Sequence, residues 1–365
     1  MIENRIGILF NSNMLFRLIR GRAKHESILN YEEAAYRHRV QLVYFRLEDI
    51  RMNSMQVYAY IRTGTRYTRK RITLPNVIHN RAIYMNAASN AKLHKLTTHN
   101  ICIYNQVNRY GKYKIHQLLA QDPEISPYLP ETMLASREHI AAMMQRHPSL
   151  ILKPDSSSIG KGLMKLDRSP QEWQAIYAIR TRYRKKVWRT SLGRGDELPA
   201  KVHSLMSNKK YLVQETLPLS TYMGRPFDLR VSVQRIQTGA WQVTGIVGKV
   251  APQHTFVTNV AQGGKVLPFE LLAAWSHPNI PYPVLYERII CLSLRIAKCL
   301  STELPHMADL GLDIGLSPDG TPLFIECNGR DQRYSFLEAH QIDIWKATYE
   351  NPIAYGASLL LQQIN

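Results

Sequence analysis

The stretch Asp313-Ile-Gly-Leu-Ser-Pro-Asp-Gly-Thr-Pro-Leu-Phe-Ile-Glu326-Cys-Asn328 reads as a β-hairpin that carries two carboxylates and an amide. Its turn signal is Ser317-Pro318-Asp319-Gly320, set between two apolar runs. Asp313 and Glu326 are equidistant from the Asp319–Gly320 midpoint, so an even-length loop centred there places them directly opposite. Side chains alternate along a strand, which puts Asn328 on the Glu326 face. Pro318 cannot donate to a ladder and favours a four-residue loop over a two-residue one. An odd loop with a bulge after Gly320 would slip the register and part the carboxylates. Two close carboxylates repel and are costly to bury. A divalent cation removes that cost. Mg²⁺ takes oxygen ligands at about 2.0–2.1 Å and shares them with substrate phosphates. The alternative is a solvated acidic face.

A chain of 365 residues with 45% hydrophobic content exceeds one ordinary domain and can build real cores. No apolar window is long enough to span a membrane. The N-terminal Met1-Ile-Glu-Asn-Arg-Ile-Gly-Ile-Leu-Phe10 reads as an immediate strand without signal-peptide features. Cys102, Cys291, Cys299 and Cys327 lack metal-ligand spacing, and free thiols in a reducing cytoplasm are expected. The net charge is +19, unevenly spread: between Asp49 and Asp122 there is no acid and there are twelve Lys or Arg. A domain so charged attracts anions, or is basic for solubility alone.

A β-α-β start over residues 6–45 suggests a small open sheet, with a hairpin about Thr63-Gly64-Thr65 and short strands at 77–79 and 101–104. Further on, Ser136 reads as a helix N-cap and 149–153 as a buried strand followed by a return strand at 163–166. Residues 170–178 read as helical. Strands are expected at 211–214, 229–235 and 241–250, a helix over 284–300, and an amphipathic helix over 353–361. Between the strands at 149–153 and 163–166 lies Pro154-Asp-Ser-Ser-Ser-Ile-Gly-Lys-Gly162. Small residues after Lys153 let backbone N–H groups approach phosphate oxygens. No Gly-Lys-Ser/Thr opens a helix here, so it is not a Walker A loop, and by itself it could be a plain turn.

The order of parts is more specific: Lys112, Leu129-Pro-Glu-Thr132, Lys153 with its loop, Val213-Gln-Glu215, Asp228-Leu-Arg230, Asp313, then Glu326-Cys-Asn328. It resembles the ATP-grasp superfamily, and within it the YheC/YheD-like, endospore coat-associated group, over about residues 105–345. The resemblance implies a mixed α/β (α+β) fold: a small open-sheet domain at 1–107, an ATP-grasp lobe with the phosphate loop at 108–207, a second antiparallel lobe with the metal site at 208–345, and a C-terminal helix at 346–365. It implies ATP and Mg²⁺ as cofactors. Lys112 and Lys153 would meet the nucleotide from two sides. Ser156, Ser157, Ser158, Gly160, Lys161 and Gly162 would form the closing loop, and Gln214 and Glu215 the adenine strand. Asp313, Glu326 and Asn328 would hold Mg²⁺. Arg230 would face the transferring phosphoryl group or the acceptor, unless it pairs with Asp228. Lys249 and Asn259 would line the same cleft. Cys327 would point to the core.

Two features depart from the pattern. Lys249 stands where relatives more often carry Arg, and lysine lacks the bidentate fork. Gly329-Arg-Asp-Gln-Arg333 replaces a Pro/Gly-rich substrate loop, which suggests an unusual acceptor pocket suited to an anion. The implied activity is a carboxylate–amine ligase acting through an acyl phosphate, on an acid and an amine the sequence does not name. The alternative is a spore-coat scaffold that binds nucleotide without turnover, with spore-coat proteins as partners. A third reading, nucleic-acid binding through the acid-free span and Arg180–Arg189, is the weakest. A homodimer is allowed; a membrane partner is not expected.

Overall fold

The computed structural model describes residues 4–157, 160–180, 186–193, 197–207 and 209–363. These residues build three sheets. The first contains β1 (Arg5–Leu9), β2 (Gln41–Phe45), β3 (Ile50–Arg51), β4 (Gln56–Thr63), β5 (Arg66–Thr73), β6 (Val77–Asn80) and β7 (Cys102–Tyr104). Its order is β3-β4-β2-β1-β6-β7, with β5 on β4; the central strands are parallel. Parallel strands with near-continuous apolar runs need cover on both faces. Leu15 and Leu18 of α1 (Ser12–Ile19) and Tyr31 and Ala34 of α2 (Ile28–Arg37) cover one face. Leu93 and Leu96 of α3 (Ala87–Thr97) cover the other.

The second sheet is antiparallel throughout, in the order β12-β11-β10-β9-β13-β8. In chain order its elements are α4 (Lys112–Ala120), β8 (Thr132–Leu134), α5 (Arg137–Arg146), β9 (Ser149–Pro154), β10 (Met164–Arg168), β11 (Trp173–Arg180), β12 (Lys186–Leu192), α6 (Ala200–Met206) and β13 (Tyr211–Glu215). Ser136 caps α5 by accepting from the His139 amide. The helix expected over 170–178 is instead strand β11. Trp173, Ala175 and Tyr177 are buried at every second position, a period of two that packs on one face of a sheet.

The third sheet runs β17-β16-β15-β18-β19. It comprises β14 (Thr221–Tyr222, paired with β15), β15 (Arg225–Arg235), β16 (Trp241–Val250), β17 (Lys265–Pro268), β18 (Asp309–Leu316) and β19 (Pro322–Asn328). Helices α7 (Phe269–Ser276) and α8 (Tyr282–Glu303) bury Leu229, Val231 and Val233 beneath it. The opposite face of β15 carries Asp228, Arg230, Ser232 and Gln234, all buried, so one face of the sheet is core and the other is polar.

After α9 (Tyr334–Glu338), α10 (Ile342–Gln362) returns to the first sheet, where Tyr349, Ile353 and Leu360 pack. It begins earlier than the helix expected near 353, and Pro352 lies inside it. Proline removes the amide that would bond the Thr348 carbonyl. Gln234 Nε2 donates to that carbonyl at 2.8 Å and fills the gap.

Candidate functional site

The carboxylate hairpin has the predicted opposition but a different turn. Leu316 pairs with Pro322, which leaves an odd five-residue loop, and the register then shifts between Asp313 and Ile314. Extra residue Ile325 forms the bulge, and Asp313 returns to face Glu326. Slip and bulge cancel. The turn is fixed by Ser317 Oγ, which accepts from the Thr321 amide at 3.1 Å, and by Arg288, which donates to the Gly320 carbonyl at 3.2 Å. Asn328 shares the Glu326 face and stands opposite Gly311.

The carboxylates are neutralised by protein cations. Asp313 Oδ1 accepts from Arg230 Nε at 3.0 Å and from Lys249 Nζ at 2.8 Å, and Oδ2 accepts from Arg230 Nη2 at 3.3 Å. Glu326 Oε1 lies 3.2 Å from Lys112 Nζ. The sequence argument that only a metal makes the pair tolerable therefore fails. Burial pushes the Asp313 carboxyl up, but Arg230 and Lys249 outweigh it and hold it below the usual range. The alternative pairing of Arg230 with Asp228 is also corrected. Register sets Arg230 opposite Asp313 and Asp228 opposite Lys249, with Asp228 Oδ1 at 2.9 Å from Lys249 Nζ. Burial raises the Asp228 carboxyl, which also accepts from Thr258 Oγ1. Arg230 reaches back to Asp331 at 3.3 Å.

These groups floor a cleft of about 300 Å³ between the second and third sheets. Lys112, Lys153, Ser157, Gly160, Gln214, Glu215, Lys249, Asn259, Asp313 and Glu326 line it. Arg230 stands behind Asp313 rather than in the lining. Ser156 and Lys161 are exposed, Gly162 packs towards Pro154 and Tyr211, and Ser158 lies outside the described residues. Gln214 Nε2 donates to Thr132 Oγ1 at 2.6 Å, and Glu215 Oε1 accepts from the Glu131 amide at 2.8 Å. Both side chains brace the strand, while Ile151, Leu163, Leu217, Leu219 and Ile325 form the apolar part of the lining. Lys153 is buried; burial lowers its ammonium to about 8, with Glu326 opposing and Lys112 adding to the fall. Lys112 Nζ also donates to the Ser157 carbonyl at 2.8 Å, tying the small-residue loop to the floor. Trp188 of β12 meets Phe256, which lines the cleft, at 5.2 Å.

Sequence reasoning gave no role to Lys165 or Thr258, which also line the cleft, and named Asp228 only as an alternative partner for Arg230. Asp228 had a signal in Asp-Leu-Arg, because strand alternation puts both charges on one face. The Gly329–Arg333 loop, expected to form an acceptor pocket, instead buries Asp331 against Arg230 and Arg333 against Asp309. Among the described residues no group of three or more His, Cys, Asp or Glu converges to hold a metal. The face offers two carboxylates and one amide, hard oxygen donors that fit Mg²⁺ if substrate oxygens complete the shell.

An open-sheet domain leading into two antiparallel lobes about a lysine-lined, carboxylate-floored cleft is the ATP-grasp fold. VanG D-Ala:D-Ser ligase from Enterococcus faecalis superposes with a TM-score of 0.54 over 97% of this chain and 99% of that chain, at 11% identity. D-cycloserine synthetase DcsG superposes with a TM-score of 0.52 over 96% and 99%, at 8% identity. The likeness is one of fold. The chain belongs to the YheC/D-like ATP-grasp family, whose model matches residues 100–359. It is 23% identical over 286 residues to endospore coat-associated protein YheD of Bacillus subtilis (strain 168), covering 76% of this chain but only 62% of YheD. It is 23% identical over 318 residues to YheC of the same organism, covering 82% of each.

Proposed function

We propose that the chain is an ATP- and Mg²⁺-dependent carboxylate–amine ligase that works through an acyl phosphate and acts in association with the endospore. The observation that carries the reading is the opposition of Asp313 and Glu326 on the floor of a cleft lined by Lys112 and Lys153. Asp313, Glu326 and Asn328 would hold Mg²⁺, which supplies charge neutralisation at the phosphates. Lys112 and Lys153 would neutralise the remaining phosphate oxygens, and Ser157 and Gly160 would cover them. Arg230 would fix Asp313, and Lys249 would hold Asp313 and Asp228 together while facing the acceptor.

The chemistry follows from leaving groups. A carboxylate oxygen attacks the γ-phosphorus, and the bond to the bridging oxygen breaks to release ADP. An amine then attacks the acyl carbon, phosphate departs, and the amine proton passes to phosphate or solvent. Positioning and charge neutralisation suffice, with no side-chain nucleophile. The names of the YheC and YheD relatives support the endospore association. One observation favours a second reading, a nucleotide-binding scaffold: Asp313 is neutralised by Arg230 and Lys249 whether or not a metal binds. ADP release with panels of acids and amines tests the two. Turnover that depends on an added acid and disappears in Glu326→Gln supports the ligase. Tight Mg-ATP binding with no ADP formed from any pair supports the scaffold.

A further inference from the structure

The first sheet ends in an open basic edge. β5 pairs with β4 and, among the described residues, with no other strand. Arg66, Arg69, Lys70 and Arg71 are all exposed, in a span with no acid between Asp49 and Asp122; Arg69 Nη2 also pairs with Asp49 Oδ1 at 2.8 Å, and Arg71 Nε donates to Gln56 Oε1 at 2.7 Å. The two-residue Gly64-Thr65 loop, with Gly64 at φ 63°, joins a hairpin closed by Thr63 and Arg66. Hydrogen-bonded and open pairs alternate from such a closing pair. The Leu74 amide, which donates to the Met55 carbonyl at 2.9 Å, confirms the phase. The backbone groups of Tyr67, Arg69, Arg71 and Thr73 therefore face the free edge. Arg66 and Lys70 stand on one face of the strand, Arg69 and Arg71 on the other.

We propose that this edge docks an acidic polypeptide segment in extended conformation, as an added strand. Its backbone would satisfy the edge, and its carboxylates would repeat at the two-residue spacing of the arginines. A second copy of the chain is the wrong occupant, because two such strands would bring like charges face to face. Nucleic acid fits less well, because the nearby rings that could stack bases are engaged. Tyr58 lies under Arg69 at 5.1 Å and Arg51 at 5.9 Å. Tyr67 packs on Tyr44 at 5.8 Å and donates to Glu32 at 3.2 Å. The charges that invite an acidic strand repel basic ones, which makes the edge selective.

The test uses the whole chain and a fluorescein-labelled peptide of alternating Glu and Val as long as β5, followed by anisotropy at low and high salt. The expected result is saturable binding that weakens with salt. Adjacent N-methyl groups in the peptide block both of its edges and keep its charge, and should weaken binding at least about tenfold. The double variant R69E/R71E should also lose binding. Oligothymidylate should not compete. No binding, equal binding of the N-methylated peptide, or displacement by oligothymidylate overturns the proposal. The N-methyl comparison uses unaltered protein, so a misfolded variant cannot produce it.

Discussion

Glu326→Gln separates the proposed ligand role from a structural one. The Glu326 side chain is 28% exposed and, among the described residues, makes one ion pair, to Lys112 at 3.2 Å. A pair of that kind contributes about 0–1 kcal/mol, so the variant should unfold close to the parent. Its effect on Mg-ATP should be much larger. A carboxylate oxygen at ligand distance from Mg²⁺, about 2.0–2.1 Å, contributes several kcal/mol or more even at an effective dielectric near 20. The substitution also frees Lys112 to repel the cation. A net loss of about 2 kcal/mol, roughly thirtyfold in affinity, is expected. Thermal unfolding with ATP alone and with ATP plus Mg²⁺ reads this out. At about a hundred times its dissociation constant a ligand adds about 2.7 kcal/mol to stability. The parent should show a Mg²⁺-dependent rise that Glu326→Gln cuts to about a third, roughly 0.9 kcal/mol at the same ligand concentration. An equal rise in both proteins would refute the reasoning.

Asp313→Asn should cost more stability than Glu326→Gln, about 2–4 kcal/mol by urea unfolding, because Arg230 and Lys249 are buried around it. The cost stays below full orphaning since Lys249 keeps Asp228 and Arg230 keeps Asp331; no measurable loss would contradict the network. Gly311→Ala places a Cβ 2.6 Å from both Arg230 Nη1 and Asp331 Oδ1, and should lower stability by about 1–3 kcal/mol along with Mg-ATP affinity. Lys153 gives a pH dependence. Its folded value, about 8, lies below the ordinary 10.5, so between those values the unfolded chain holds more protons, and stability from this group rises with pH. Nucleotide binding runs the other way. It needs the ammonium, so affinity should fall as pH rises through about 8, and binding just above that pH should take up a proton, measured by calorimetry in buffers of different ionisation enthalpy. Lys153→Met should abolish that uptake.

The floor of the site was legible because strand alternation and a turn centre are local. Asp313 opposite Glu326 needed only the Pro/Asp/Gly cluster and counting, though the five-residue loop and the Ile325 bulge that achieve it could not be told from an even loop. The neutralising cations were not legible as partners. Arg230 and Lys249 lie on β15 and β16, remote in sequence, and only sheet order sets them around Asp313. Strand β11 was misread because Pro170 followed by Gln171 and Glu172 imitates a helix start, while Trp173, Ala175 and Tyr177 carry the true period. The last helix was read short because a proline ordinarily ends one; Gln234, more than a hundred residues earlier, supplies the missing donor. The basic run at 180–189 falls partly on residues 181–185, outside the described ones, and Trp188 packs against Phe256.

The central claim is that Asp313 and Glu326 share a divalent cation with nucleotide phosphates. Electron paramagnetic resonance of Mn²⁺ in place of Mg²⁺, with a nonhydrolysable ATP analogue, reads that directly. The account predicts tight Mn²⁺ binding only when nucleotide is present, phosphorus hyperfine coupling in the bound signal, and loss of the bound signal in Glu326→Gln. Mn²⁺ that binds as well without nucleotide, or as well to Glu326→Gln, would contradict it.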